Sequence, residues 1–320
     1  MAKDLNAFRN ERILTLVEQG EITICEAFIM MRKSSSPTTK GDVEISREER
    51  IAQIQRELSL LIGLKSVKQL IQEIQAFVEI QQRRISVKLN SEPVVLHMIF
   101  KGNPGTGKTT VARIIGKLFR EMGVLSKGHI IEVERADLVA EYIGQTAQRT
   151  REQLRKAYGG ILFIDEAYSL ARGGEKDFGK ESIDTMVKAM EDQRSDLIII
   201  LAGYSKPMED FLQTNPGLNS RFPIAIDFPD YSAFELFKIA EGMLKQRDYQ
   251  LNKAARRKLF RIIEDMKKKD QSNFGNAREI RNLIEKSIRK QAVRLVKKQQ
   301  SSRTDLMEIS NEDIGEVLEV

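Results

Sequence analysis

Short apolar runs punctuate the middle of the chain. Residues 94–100 (VVLHMIF), 129–133 (HIIEV), 161–165 (ILFID), 197–203 (LIIILAG) and 223–228 (PIAIDF) each have strand length. Several are apolar at successive positions instead of every second one, the pattern of strands buried on both faces of a parallel sheet. Helical spacing separates most of them. Val111, Ile114, Ile115, Leu118 and Phe119 mark one helix face after the first run, and Ile183, Met186, Val187 and Met190 mark another before the fourth. This alternation predicts an α/β domain over residues 45–230 with a doubly wound sheet flanked by helices.

The ends of the chain read differently. Residues 231–320 show helical periodicity alone, with helices predicted near 232–247, 252–269 and 276–298. A further short helix is predicted to open at Ser310, because Ser310 and Asp313 have the spacing of a capping box. The region reads as a small helical bundle. Residues 1–33 read as a helical hairpin: Ile13, Leu14, Leu16 and Val17 line one helix, Gly20 ends it, and Thr23 with Glu26 caps the next. A linker of small and polar residues, 34–44, follows. Helices of about two turns do not hold alone. The hairpin is therefore expected either to dock on a partner or neighbouring subunit, or to pack back on the main domain.

Composition narrows the chemistry. A single cysteine, Cys25, excludes an intramolecular disulfide framework and a cysteine-based zinc site, and two histidines, His97 and His129, leave little for a histidine-rich metal centre. The N-terminal MAKDLNAFRNER has no apolar core of a signal peptide, and no apolar run approaches the ~20 residues that span a bilayer. A soluble, cytoplasmic protein without a membrane span is expected. Of the 320 residues, 52 are Lys or Arg and 46 Asp or Glu, and the formal excess of six positive charges lies within residues 231–320. The densest basic run, 253–270, fits either a nucleic-acid patch or the solvated face of an amphipathic helix. Leu259, Ile262, Ile263 and Met266 recur at helical spacing and no aromatics interleave with the charges, which favours the helix.

Directly after the first run comes Gly102-Asn103-Pro104-Gly105-Thr106-Gly107-Lys108-Thr109, with Thr110 next, a full match to G-x-x-x-x-G-K-[ST] between a strand and a helix. Glycines at 102, 105 and 107 let backbone N–H groups approach phosphate oxygens, and the following helix turns its positive end toward them. Lys108 is placed for the β- and γ-phosphates and the Thr109 hydroxyl for Mg2+. The third run ends in Asp165 and Glu166. Asp165 is a second candidate Mg2+ ligand, and Glu166 is positioned to polarise an attacking water. ATP and Mg2+ are the cofactors this constellation calls for.

GNPGTGKTTVARIIGKLF, LVAEYIGQTAQRT, ILFIDEAYSL and LNSRFP, spread from about residue 62 to 283, resemble the AAA+ ATPases and within them the CbxX/CfqX family, the red-type Rubisco activase-like proteins. The resemblance implies an AAA+ P-loop domain with a five-stranded parallel sheet, a C-terminal helical lid over 231–320, and assembly with itself into a ring, by default a hexamer. It implies that Arg221 is an arginine finger reaching a neighbour's γ-phosphate, and that Arg278, with Arg281 in reserve, is the lid's phosphate sensor. Tyr142, with Ile143 and Gly144, matches a pore loop that grips a protein substrate. Ile62 and Gly63 match the segment that cups adenine. At the register where many relatives carry a polar sensor, often Asn, this chain has Ser205, with Tyr204 as the neighbouring candidate. The implied function is ATP-dependent remodelling of a protein target. A nucleic-acid motor or loader, a non-hydrolysing scaffold and a Rubisco activase are the alternatives.

Overall fold

A computed structural model of the chain describes residues 46–90, 95–142, 144–172, 178–193, 196–269, 274–298 and 300–315. The chain divides into two compact units, Met1–Ser46 and Arg47–Val320. The hairpin and linker expected at 1–33 and 34–44 lie outside the described residues; every element below belongs to the second unit.

Two helices that the apolar runs do not announce, α1 (Arg47–Leu60) and α2 (Lys65–Ser86), precede the sheet. Strands and helices then alternate: β1 (Met98–Gly102), α3 (Lys108–Glu121), β2 (Ile130–Val133), α4 (Arg135–Leu138), α5 (Gln145–Ala157), β3 (Gly160–Ile164), a 3-10 turn over Ala167–Ala171, α6 (Gly179–Asp192), β4 (Leu197–Gly203), α7 (Ser205–Thr214), α8 (Pro216–Asn219) and β5 (Ile224–Phe228). The strands form one parallel sheet in the order β2-β3-β4-β1-β5.

Successive side chains of a strand point to opposite faces. Along β4, Ile198, Ile200 and Ala202 join a core with α1, α2 and α3, while Leu197, Ile199 and Leu201 join a second core with α5, α6 and α7. Every residue of β3 and β4 is buried, which is why these two runs are apolar throughout. The expected strand at 94–100 instead starts at Met98. At the preceding residue the His97 ring enters the ladder, its Nδ1 accepting the Ile199 N–H at 3.1 Å, and strand pairing begins one step on, at Met98 opposite Ile200.

The C-terminal region holds α9 (Ala233–Lys245), α10 (Lys253–Lys269), α11 (Ala277–Val296) and α12 (Arg303–Met307). A Ser232–Glu235 capping box opens α9. In α10, Leu259 and Ile263 are buried and Ile262 and Met266 pack against them, so the basic run is the outer face of an amphipathic helix. Two readings need correction. The region is not purely helical, because β6 (Gln250–Leu251) pairs in parallel with β7 (Glu308–Ile309). No helix opens at Ser310 either. Only half of the box forms: Ser310 N–H and Oγ both donate to Asp313 Oδ2, but the Asp313 N–H bonds the Ser310 carbonyl at 3.1 Å, which closes a turn. Asp313 is buried and its carboxylate also takes the Arg294 guanidinium at 2.7 and 2.8 Å, so it serves as a tertiary anchor instead of starting a helix.

Candidate functional site

The chain leaves β1 at Gly102 and enters α3 at Lys108, so the residues between form a loop at the C-terminal edge of the sheet. Gly102, Gly105 and Gly107 have φ of 152°, 71° and 100°, conformations that side chains disfavour. A Cβ on Gly105 would lie 2.3 Å from the Gly275 carbonyl. Gly107 caps α3 without a side-chain bond, and the first turn of this 14-residue helix carries no acid, which leaves its N–H groups to an incoming anion. Lys108 Nζ donates to the carbonyls of Gly102 and Asn103 at 2.8 and 2.9 Å, folded back over the loop. Burial holds its pKa below the usual lysine value. Asp165, Asp230 and Glu166 pull the other way, and the Arg278 charge adds to the depression. Lys108, Asp165, Glu166 and Arg278 thus share one electrostatic neighbourhood. A cradle of glycine backbone, a helix N-terminus, an ammonium and facing carboxylates fits a triphosphate with a divalent cation. Thr109 is half-buried in the first turn of α3, Thr110 beside it is exposed, and Asp165 follows the last residue of β3.

Glu166 has φ 45°, and its N–H bonds Asp165 Oδ1 at 3.0 Å. It is exposed and lines, with Asp165, Glu134, Arg135, Glu141 and Arg172, a cleft of about 460 Å³. Tyr168 stands behind it. Burial, with the Glu166 charge adding to it, pushes the Tyr168 phenol up to about 12. The Arg172 guanidinium lies 5.0 Å from the Tyr168 ring centroid, and the Tyr204 ring 6.2 Å from it. Of the two sensor candidates after β4, Tyr204 is half-buried against Tyr168, while Ser205 is exposed at the start of α7.

Arg221 lies at the opposite edge. It comes three residues before β5, whose last residue, Phe228, is in register with Gly102. The strand alone separates the two ends by ~13 Å at 3.3 Å per residue. Arg221 therefore turns away from the P-loop of its own chain, and its guanidinium bonds Glu191 and the Gly217 carbonyl. Tyr142 is 67% exposed on the loop between α4 and α5. Gly144, with φ 80°, starts α5 with open space around its Cα, and Ile143 lies outside the described residues. Gly63, with φ 65°, faces Tyr231 and Glu235; a Cβ there would meet Glu235 Oε1 at 2.5 Å. Tyr231 in turn donates its hydroxyl to the Thr106 carbonyl at 3.0 Å, which brings the Ile62–Gly63 segment, the P-loop and the lid to one point.

Of the two lid arginines, Arg278 is the one beside the P-loop: its backbone nitrogen would touch a Cβ on Gly105 at 2.8 Å. Arg281 sits one helical turn further along α11 and is exposed. Sequence reasoning overlooked Asp230, Tyr231 and Asn276, which hold the lid to the P-loop. Asn tolerates positive φ better than most residues, the one local hint at Asn276. Nothing local signals its tertiary partners.

The family model for AAA, the ATPases associated with various cellular activities, matches residues 98–230, and the AAA lid domain model matches 232–319. The chain is 57% identical over 266 residues to stage V sporulation protein K of Bacillus subtilis (strain 168), covering 83% of each. It is 46% identical to protein CbbX of Cereibacter sphaeroides, covering 78% of this chain and 79% of that protein. To the chloroplastic ribulose bisphosphate carboxylase/oxygenase activase of Cyanidioschyzon merolae it is 41% identical, covering 88% and 97%. Among solved structures, a RuvB mutant of Thermotoga maritima superposes with a TM-score of 0.50 at 22% identity, covering 78% of this chain and 70% of that one, a likeness of fold alone.

Proposed function

Because the chain belongs to the AAA ATPases, in the CbxX/CfqX family with an AAA domain followed by an AAA lid, we propose that it assembles with itself into a ring, by default a hexamer, and spends ATP hydrolysis on remodelling a protein target. One observation carries the remodelling reading. Tyr142 is exposed on a loop whose preceding residue, Glu141, lines the same cleft as Asp165 and Glu166. An exposed aromatic there can grip a peptide by contact area, without reading its sequence, and a shift of the cleft during hydrolysis would move it.

The chemistry follows from the chain's own groups. The P-loop N–H groups and the N-terminus of α3 hold the β- and γ-phosphate oxygens, and Lys108 exchanges its two carbonyl partners for them. Thr109 and Asp165 would hold Mg2+, which when bound would neutralise phosphate charge. Glu166 accepts a hydrogen bond from water and orients it for in-line attack on the γ-phosphorus. Arg221 of a neighbouring subunit stabilises the charge that develops on the transferred phosphoryl group, and Arg278 senses it from the lid. Ile62 and Gly63 border the adenine, and Tyr204 is a better candidate than Ser205 for the sensor beside β4.

The higher identity to stage V sporulation protein K than to the activase relatives supports a target handled during sporulation. Activation of Rubisco is the second reading, supported by how much of those relatives the chain covers. The experiment is a substrate trap. Glu166→Gln, loaded with ATP in lysate of the native cells at the stage of expression, is purified and its companions identified by mass spectrometry. A defined protein that is lost when Tyr142→Ala is added supports remodelling and names the target; capture of the carboxylase selects the second reading. Nucleic acid alone, or a companion indifferent to Tyr142→Ala, sinks remodelling in favour of a loader or a scaffold.

A further inference from the structure

Beside the Tyr231 hydroxyl on Thr106, the side chain of Asn276 fastens the lid to the P-loop. Asn276 has no exposed surface and adopts φ 48°, ψ −127°, a conformation rare for any residue but glycine. Such a conformation persists where the surroundings over-determine it, and here they do. Asn276 Oδ1 accepts the Tyr231 N–H at 3.0 Å. Its Nδ2 donates to the Phe274 carbonyl at 2.9 Å and to Asp230 Oδ1 at 2.8 Å, with the Pro104 carbonyl at 3.4 Å. Asp230 also receives Asn103 Nδ2, at 3.0 Å to each oxygen. The next residue, Ala277, donates its N–H to the Gly105 carbonyl at 3.3 Å. Residues 103, 104 and 105 of the P-loop are thus bonded in turn to Asp230, which Asn276 holds, to Asn276 itself and to its neighbour Ala277.

The same loop has a second occupant of its carbonyls. Lys108 Nζ sits on those of Gly102 and Asn103, and phosphate oxygens compete for that ammonium. When Lys108 transfers to phosphate, the bonding of the loop changes on the segment that Asn276 holds, and Asn276 lies two residues before Arg278. We propose that Asn276 is a positioning residue that transmits phosphate occupancy of the P-loop to the lid and sets Arg278 relative to the nucleotide. This rests on the reading of residues 102–109 as an ATP site.

The test uses Asn276→Gly in the full chain, since glycine accepts the left-handed backbone and only the carboxamide is lost. The readouts are binding of a non-hydrolysable ATP analogue, steady-state kcat and KM, and hydrogen exchange of the α11 amides with and without the analogue. Expected are analogue affinity within about threefold of the unaltered protein, a kcat about tenfold lower, and loss of the analogue-induced protection of α11. Unchanged protection together with unchanged kcat would overturn the proposal while leaving the ATP site standing. No analogue binding by the unaltered protein would overturn both. If Asn276→Gly does not fold, Asn276→Asp is measured across pH. It sets a carboxylate against Asp230, and kcat relative to the unaltered protein should recover as pH falls and a proton restores the donor. A relative kcat independent of pH would refute the role.

Discussion

Arg221 Nη2 donates to Glu191 Oε1 at 2.6 Å, joining the loop before β5 to the end of α6 at the sheet edge away from the P-loop. The two side chains are 34% and 49% exposed, so the pair contributes little to folding. On the proposal that Arg221 serves a neighbouring subunit, the pair is what positions its guanidinium. Glu191→Gln is expected to leave the melting temperature within about a degree or two and to lower kcat about tenfold, through a misdirected arginine. Arg221→Ala is expected to lower kcat by about 10³-fold. Mixing Arg221→Ala with Glu166→Gln subunits should restore part of the activity, because some interfaces then pair an intact Glu166 with an intact Arg221. No recovery in mixed assemblies would refute action between subunits.

Lys108 and Glu166 separate binding from chemistry. Lys108→Ala is expected to weaken ATP binding by about 100-fold or more, since the ammonium meets the phosphates directly. Glu166→Gln keeps the size and a hydrogen-bonding group but loses the carboxylate. It is expected to bind ATP normally and to hydrolyse it about 10²- to 10⁴-fold more slowly. Nucleotide titration and single-turnover hydrolysis on each variant decide the matter.

Gly105 offers a direct probe of the seam between P-loop and lid. At φ 71°, with the Gly275 carbonyl 2.3 Å and the Arg278 nitrogen 2.8 Å from any Cβ, alanine meets both strain and collision. Gly105→Ala is expected to cost about 1–3 kcal/mol in urea unfolding. It is also expected to reduce nucleotide affinity, because the lid must retreat. Equal stability and affinity would contradict the close approach.

His97 sets a pH dependence. It is 4% exposed, and burial lowers its pKa from 6.5 to about 4. Its Nδ1 accepts an N–H from β4, so the neutral ring carries its proton on Nε2. Below pH 6.5 the unfolded chain takes up a proton that the folded chain refuses until about pH 4. Stability therefore falls as pH falls through that window, by up to about 3 kcal/mol, and is unaffected by this group above it. Asn at this position keeps an acceptor but does not titrate. His97→Asn should flatten the stability curve between those pH values, whatever its absolute stability.

Much of this protein is written locally. A Gly-rich loop followed by Lys-Thr needs only the strand before it and the helix after it, so the P-loop was legible from residues 102–109. Apolar runs at successive positions required a sheet covered on both faces, and the two cores found on either side of β4 are that requirement met. Ser232 with Glu235, three residues apart, was enough to start α9. Ser310 and Asp313 have the same spacing, but the Asp313 N–H bonds the Ser310 carbonyl and not its hydroxyl, so only a turn closes, with the Asp313 carboxylate held by Arg294 from another element. Glu191 meets Arg221 across 30 residues and Asn276 meets Pro104 across 172, and no spacing rule reaches that far. What the sequence by itself determined is what neighbours three or four positions apart can settle: strands, helices, turns and the residues able to hold phosphate. Only the tertiary structure decided which side chains the returning chain brings together: the strand order, the pairing of Arg221 with Glu191 and the fastening of the lid to the P-loop. Those depend on loop closure and shared burial, which act between segments distant in sequence.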